Sequence, residues 1–152
     1  MVGMDADIES ILVAQTEDGP VGVAVLGVDG ARDVLPISIG IEEAADIVRG
    51  MEVADVDRPL THDLMLDVVE VLGGRLDRVV LASLEGDSYT AAVHLDTPRD
   101  QVVVDARPSD SLALATRTGA SIEVEEGVFE RGRRPPEAFD ELRDIREVAG
   151  EA

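Results

Sequence analysis

The sequence predicts an α+β fold in which a mostly antiparallel sheet, built from a meander and a hairpin, carries about three helices and a C-terminal tail helix. Two observations predict this class. β-rich runs separated by turn signals fill the first 40 residues, and helical periodicity replaces them from Ile41 onward. The 152 residues suit one domain with a hydrophobic core, because folding at this size buries roughly 68–70% of the unfolded chain's surface.

The strands follow from runs of β-branched residues between turn signals. Three runs are predicted to form the meander, with Glu17-Asp18-Gly19-Pro20 and Asp29-Gly30 as its turns: 8–16, 21–28 and 34–39. Two later runs flank Glu85-Gly86-Asp87 and should pair as a hairpin: 78–84 and 88–95. Two shorter strands complete the prediction: 101–105 and 121–125.

The helices follow from apolar residues at helical spacing. Three helices are predicted, from Ile41 to about Gly50, from Thr61 to Leu72 and from Asp110 to Thr118, with Thr61 and Ser109 as N-caps and glycines as stops. Residues 128–130 suggest one helical turn. After a break at 132–136, apolar residues at helical spacing over 137–148 predict a tail helix that docks on the domain or on a partner. We therefore divide the chain into a domain over 1–131 and an acidic tail over 132–152.

The charge of the chain is extreme. It has 33 acidic and 13 basic residues, a net charge of −20, and every basic residue is an arginine. Such a surface repels itself until salt screens it, so the composition predicts a halophilic protein, with an acidic protein of ordinary cytoplasm as the alternative. The small number of cationic side chains also makes nucleic-acid binding less expected, because affinity for phosphate comes largely from lysine and arginine. It does not exclude such binding.

Other compositional features restrict the chemistry. Without cysteine the chain has no disulfide, no thiolate nucleophile and no thiolate metal ligand, so a bound metal would be an oxygen-preferring cation such as Mg²⁺, Mn²⁺ or Ca²⁺. The acidic start, Met1 to Glu9, does not resemble a signal peptide, and the longest apolar run, 21–28, is too short to cross a bilayer. We expect a cytoplasmic protein that does not bind membranes.

Two polar segments stand out as candidate sites. They are Arg58-Pro59-Leu60-Thr61-His62-Asp63 and Asp105-Ala106-Arg107-Pro108-Ser109-Asp110, and each offers an arginine, a hydroxyl and a carboxylate at a helix N-terminus. Free backbone N–H groups and the helix dipole attract anions there, so the pair is suited to holding a phosphate. The structural alternative is that the same residues are helix caps and internal ion pairs.

Four segments also carry a resemblance to a known family. They are Leu35-Pro36-Ile37-Ser38-Ile39-Gly40, Glu43-Ala44, Arg58-Pro59-Leu60-Thr61-His62-Asp63-Leu64 and Asp105-Ala106-Arg107-Pro108-Ser109-Asp110-Ser111-Leu112-Ala113-Leu114-Ala115. In order and spacing they are similar to the bifunctional nuclease family, over about residues 8–130. The resemblance implies a compact α+β domain, usually a homodimer, acting as a nuclease on RNA and DNA.

The resemblance carries over nine site positions: Glu43, Arg58, Thr61, His62, Asp63, Asp105, Arg107, Ser109 and Asp110. The leading hypothesis is a phosphodiesterase that depends on a divalent metal. Asp63, Asp105 and Asp110 would hold Mg²⁺ or Mn²⁺.

The remaining positions complete that hypothesis. Arg58 and Arg107 would bind the phosphate beside Thr61 and Ser109, and His62 would be the general base or acid, with Glu43 as a weaker partner. The alternative is a dimeric binding or regulatory module without catalysis, in which these residues form a structural network or a small-anion site.

Overall fold

The computed structural model describes residues 3–52, 58–85 and 88–149. The strands in chain order are β1 Gly3–Thr16, β2 Gly19–Val28, β3 Val34–Ile39, β4 Arg75–Glu85, β5 Ser88–Asp96, β6 Gln101–Ala106, β7 Ser121–Glu125 and β8 Arg143–Asp144. The helices are α1 Ile41–Met51, α2 Thr61–Val71, α3 Pro108–Thr118, α4 Glu126–Gly132 and α5 Ile145–Ala149, with a 3-10 turn at Pro136–Phe139. The predicted α+β class is confirmed.

The strands form one sheet in the order β3-β2-β1-β7-β4-β5-β6, and β8 pairs with the free stretch of β1 beyond β7. All neighbours are antiparallel except β4 and β7. The predicted meander is β1-β2-β3, and the predicted hairpin is β4-β5. Part of that hairpin's predicted turn, Gly86-Asp87, lies outside the described residues.

The core lies between the sheet and the helices that cover it. Aliphatic side chains fill it, including Leu26, Ile37, Ile47, Val79 and Leu112, each at most 1% exposed. Burying such side chains provides most of the driving force for folding. Helices α1 and α3 pack on each other, and α2 packs on α3, so the N-termini of all three helices lie near one another at one side of the domain.

Two predicted helix caps were wrong by one or two residues. Leu60, rather than Thr61, is the N-cap of α2, because the Asp63 carboxylate accepts a hydrogen bond from the Leu60 N–H at 3.0 Å. Arg107, rather than Ser109, is the N-cap of α3, because Pro108 occupies the first helical position, where a missing N–H is harmless. Gly119 ends α3 in the left-handed region, at φ +73°, as predicted.

The tail docks on the domain, but not as one helix over 137–148. It forms the 3-10 turn, then β8, and only then the short helix α5. Phe139 and Leu142 pack on a small cluster around Leu12 and Val25, and β8 pairs with backbone groups of β1 that a continuous tail helix would leave without a protein partner. The predicted helix was therefore wrong over most of its length. Within the described ranges, no helix is long and apolar enough to cross a membrane.

Candidate functional site

Two clefts open beside the N-termini of α1, α2 and α3 and share a wall. The first has a volume of about 680 Å³ and is lined by residues of β3, β5, α3 and α4. The second has a volume of about 640 Å³ and lies between α2, α3 and the β5-β6 end of the sheet. Glu43 and Arg107 line both clefts, so these two side chains form the wall between them.

A hydrogen-bonded network connects three of the predicted site residues at this wall. His62 Nε2 lies 3.0 Å from Asp110 Oδ1. Arg107 binds the same carboxylate with two nitrogens, Nε to Oδ2 at 2.8 Å and Nη2 to Oδ1 at 3.2 Å. A two-point pair of this kind fixes the orientation of the carboxylate, so Asp110 in turn fixes the imidazole of His62.

Glu43 extends this network from α1. Its Oε1 lies 3.5 Å from Arg107 Nη1, at the long limit of a hydrogen bond. The fold thus brings Glu43, His62, Arg107 and Asp110 together from three separate helix starts. We call these four residues the Arg107 network.

The Arg107 network favours the ionised form of the Asp110 carboxyl group. The hydrogen bond from Arg107 lowers the pKa of Asp110 below its ordinary value, and His62 lowers that pKa further, while partial burial opposes both. The same hydrogen bond raises the pKa of Arg107. An ionised Asp110 can only accept, so the hydrogen of the His62–Asp110 bond belongs to Nε2 of His62. Nδ1 is then the ring nitrogen that is available to take up a proton.

Asp63 belongs to a different network. Its Oδ1 accepts a 2.8 Å hydrogen bond from Arg117 Nε, and its Oδ2 accepts the hydrogen bond from the Leu60 backbone N–H at the start of α2. Arg117 also donates to the backbone carbonyls of Asp46 and Ala113. The side chain of Arg117 is 6% exposed, so this Arg117 network ties α1, α2 and α3 together beneath the surface.

The other predicted positions lie at the edges of the clefts. Ser109 is buried against the first cleft, and Thr61 and Asp105 line the second, both exposed. Arg58 is exposed just before α2. Within the ranges that the structure covers, the side chains of Arg58, Thr61 and Asp105 form no hydrogen bond or ion pair.

The described residues do not assemble the predicted metal site. Among them, no group of three or more histidine, aspartate or glutamate side chains is arranged to hold a metal ion. Both oxygens of Asp63 are engaged by Arg117 and Leu60, and the Asp110 carboxylate is engaged by Arg107 and His62. Two of the three predicted ligands are therefore already partnered by cations and N–H groups, and only Asp105 is free of a partner in the described chain, which does not fit a set of three free metal ligands.

Sequence reasoning missed three arginines. Arg117 follows Asp110 by seven residues, two helical turns, so helical periodicity would have placed it on the same side of α3 as the site. Arg131 and Arg134 line the first cleft from the segment after β7. No local sequence pattern indicates that they line a cleft, because their position depends on the backbone pairing of Arg134 with Val34 of β3.

The fold and the Arg107 network define an α+β protein with a histidine–carboxylate–arginine site at converging helix starts. The sequence profile of the bifunctional nuclease domain matches residues 24–137. The chain belongs to the bifunctional nuclease domain family.

Two relatives are also similar over most of their length. Both are described as uncharacterized proteins of Mycobacterium tuberculosis, one from strain CDC 1551 / Oshkosh and one from strain ATCC 25618 / H37Rv. Each is 38% identical to this chain over 135 residues, which cover 88% of this chain and 79% of the relative.

Proposed function

We propose that the protein is a nuclease that hydrolyses phosphodiester bonds of RNA or DNA at the second cleft. The observation that carries this proposal is the His62–Asp110 hydrogen bond of 3.0 Å, held by Arg107 at the wall between two clefts. A buried imidazole oriented by an ionised carboxylate is suited to proton transfer. The family membership favours phosphodiester chemistry over other uses of the same residues.

In the proposed reaction, Nδ1 of His62 takes a proton from water as the water oxygen attacks phosphorus. The new P–O bond forms while the P–O bond to the leaving sugar oxygen breaks, and the imidazolium returns its proton to that oxygen. Asp110 stabilises the imidazolium through Nε2. Arg107, with 64% of its side chain exposed, is placed to bind the phosphate while it remains paired with Asp110.

Dependence on Mg²⁺ or Mn²⁺ stays a prediction. Because Asp63 is engaged by Arg117 and Asp110 by Arg107, these two predicted ligands would have to leave their present partners to share one ion with Asp105. The proton transfers of the proposed reaction are therefore assigned to His62 alone. Cleavage measured in Mg²⁺, in Mn²⁺ and in EDTA tests the dependence separately from the role of His62.

One observation favours the second candidate, a binding or regulatory module without catalysis. Arg107 has carboxylate partners on both sides, Asp110 and Glu43, as in a structural ion-pair network. On this alternative the site holds a small anion and does not turn it over. Tight phosphate or nucleotide binding without cleavage of any polynucleotide would favour it.

We also propose that the protein is a homodimer and that an apolar face forms the interface. Exposed apolar side chains lie on α2, at its C-cap and on β6, the edge strand of the sheet, among them Val71 at 85%, Leu72 at 73% and Val104 at 48%, and Val104 lines the second cleft together with α2. An apolar edge strand is suited to pairing with its own copy about a two-fold axis.

Light scattering tests the dimer. Two chains are expected for the wild type and one for Val71→Asp/Val104→Asp, whereas a monomeric wild type would contradict the dimer. A cytoplasmic location stays a prediction, which cell fractionation would test.

The experiment that tests the nuclease is cleavage of labelled single-stranded RNA and DNA by the purified protein, at a KCl concentration that keeps it folded. We expect cleavage by the wild type and roughly 10²–10⁴-fold slower turnover by His62→Gln. The matched control is His94→Gln, since His94 lies on β5 and takes no part in the Arg107 network. Equal cleavage by wild type and by folded His62→Gln would exclude His62 from the reaction, and no cleavage by the wild type would favour the binding module.

A further inference from the structure

Two arginines differ from most others in this acidic protein. Most arginines elsewhere in the described chain pair with carboxylates, as in Arg32–Glu137, Arg78–Glu123 and Arg133–Asp33, whereas Arg58 and Arg99 are unpaired but lie outside both clefts. Arg131 and Arg134 form no ion pair with any carboxylate that the structure describes. Carboxylates are abundant at a net charge of −20, so two arginines that line one cleft without a carboxylate partner make that cleft suited to an anion from outside the chain.

Both of these arginines line the first cleft. Arg107 joins them from the wall, so three arginines line one space whose single carboxylate residue, Glu43, is already paired with Arg107. Hydroxyl donors surround the same space: Ser38, Ser88, Tyr89 and Ser109. The start of α3 also borders the cleft, and its N-terminal N–H groups add to the positive potential.

Tyr89 is suited to donate a hydrogen bond there. Partial burial raises the pKa of its phenol, and the nearby charge of Arg134 offsets part of that rise. The raised pKa keeps the hydroxyl protonated at neutral pH. A neutral phenol beside a guanidinium is a donor pair for a phosphate oxygen.

The backbone holds these groups in place. Arg134 N–H and C=O each form a 2.9 Å hydrogen bond with Val34 of β3, which fixes the segment after α4. Gly132 lets the end of α4 approach β5, because a Cβ at this position would collide with the Tyr89 hydroxyl and with Leu35. The cleft is therefore formed by paired and closely packed backbone rather than by a loose loop.

From this arrangement we infer that the first cleft is a phosphate subsite, in which Arg131, Arg134 and Tyr89 bind a backbone phosphate of a single-stranded polynucleotide adjacent to the one held at the second cleft. Arg107 lies between the two positions because it lines both clefts. The inference rests on the proposed nuclease function. It assigns the substrate at least two phosphates, because each cleft takes one.

The test is equilibrium binding of a fluorescent single-stranded DNA octanucleotide in EDTA, over a range of KCl, with gel analysis to verify that the strand stays intact. The variant is Arg131→Gln/Arg134→Gln. Its matched control is Arg75→Gln/Arg99→Gln, which removes the same charge outside both clefts. Thermal unfolding of the wild type and both double variants verifies that each is folded. The single variants Arg131→Gln and Arg134→Gln each retain one of the two guanidinium groups and provide a milder change.

We expect the cleft variant to raise the Kd roughly tenfold or more, because two charge-assisted contacts are lost. The slope of log K against log salt should fall by roughly 0.7 per lost contact. The control should bind like the wild type. An unchanged Kd and slope in the cleft variant, or an equal loss in the control, would overturn the subsite.

Two further measurements distinguish the phosphate subsite from the proposed nuclease function and from a small-anion site. Binding that depends on Arg131 and Arg134 without any cleavage by the wild type would overturn the nuclease and leave the phosphate subsite in place. Inorganic phosphate and a mononucleotide are tested in parallel. If they bind with the same dependence on the two arginines and the octanucleotide does not, the cleft takes a small anion and the polynucleotide subsite is overturned.

Discussion

The Arg107 network and the Arg117 network contain the same types of residue but differ in their exposure. Arg107 pairs with Asp110 and has 64% of its side chain exposed at the wall of two clefts. Arg117 pairs with Asp63 and has 6% exposed. Both carboxylates lie in the first turn of a helix, where they offset the helix dipole.

The difference in exposure separates two tasks. Arg117 donates hydrogen bonds to Asp63 and to two backbone carbonyls, and these bonds join three helices. Arg107 holds Asp110 with one edge of its guanidinium and still faces solvent, where a ligand can reach it. We therefore interpret the Arg117 network as the scaffold and the Arg107 network as the reactive site.

The largest expected effect on stability comes from the scaffold. Arg117→Met should lower the free energy of unfolding by roughly 3 kcal/mol, because it removes three hydrogen bonds that the buried guanidinium donates to Asp63 and to two backbone carbonyls, at about 1 kcal/mol each. Arg107→Met should cost only about 0–1 kcal/mol, because exposed pairs contribute little. Urea unfolding at constant KCl measures both. Equal losses would remove the distinction between the two networks.

A smaller effect is expected in the titration of Asp110. Because Arg107 lowers its pKa in the folded protein, the carboxylate stabilises the fold above its ordinary pKa of 3.8, and this stabilisation is lost as the pH falls through the lowered value. Carbon-13 NMR should find the Asp110 pKa below 3.8 in the wild type and higher in Arg107→Gln. No rise in that variant would mean that Arg107 does not set the charge state of Asp110.

The smallest effect is expected at Glu43. Its contact with Arg107 is 3.5 Å long and lies beside solvent, so Glu43→Gln should change the free energy of unfolding by less than about 1 kcal/mol. The same urea titration measures it. A loss as large as that of Arg117→Met would assign Glu43 to the scaffold.

The fold class and most elements could be predicted because they depend on local patterns. Alternating β-branched runs predicted β1 to β3, and apolar spacing predicted α1 to α3. The tail could not be predicted in this way. Its apolar residues match helical spacing, but pairing with β1 and packing of Phe139 at the sheet decide its conformation.

The candidate site could be predicted only as two segments. The sequence identifies both polar segments, but each contains an arginine, a hydroxyl and a carboxylate. The sequence therefore does not show which carboxylate pairs with which arginine. The pairing depends on where α3 crosses α2, which puts Arg117 beside Asp63 and His62 beside Asp110. Contacts across 54 and 48 residues leave no local pattern.

The measurement that tests this account most directly compares Asp110→Asn with Asp63→Asn, two isosteric changes that each remove one charge. Turnover on single-stranded RNA is measured per folded molecule, with the folded fraction taken from unfolding curves in the same buffer. We expect Asp110→Asn to lose roughly 10²-fold or more, because His62 loses the carboxylate that orients it, and Asp63→Asn to lose stability while keeping nearly full turnover. Full turnover in Asp110→Asn, or an equal loss in folded Asp63→Asn, would contradict the division between site and scaffold.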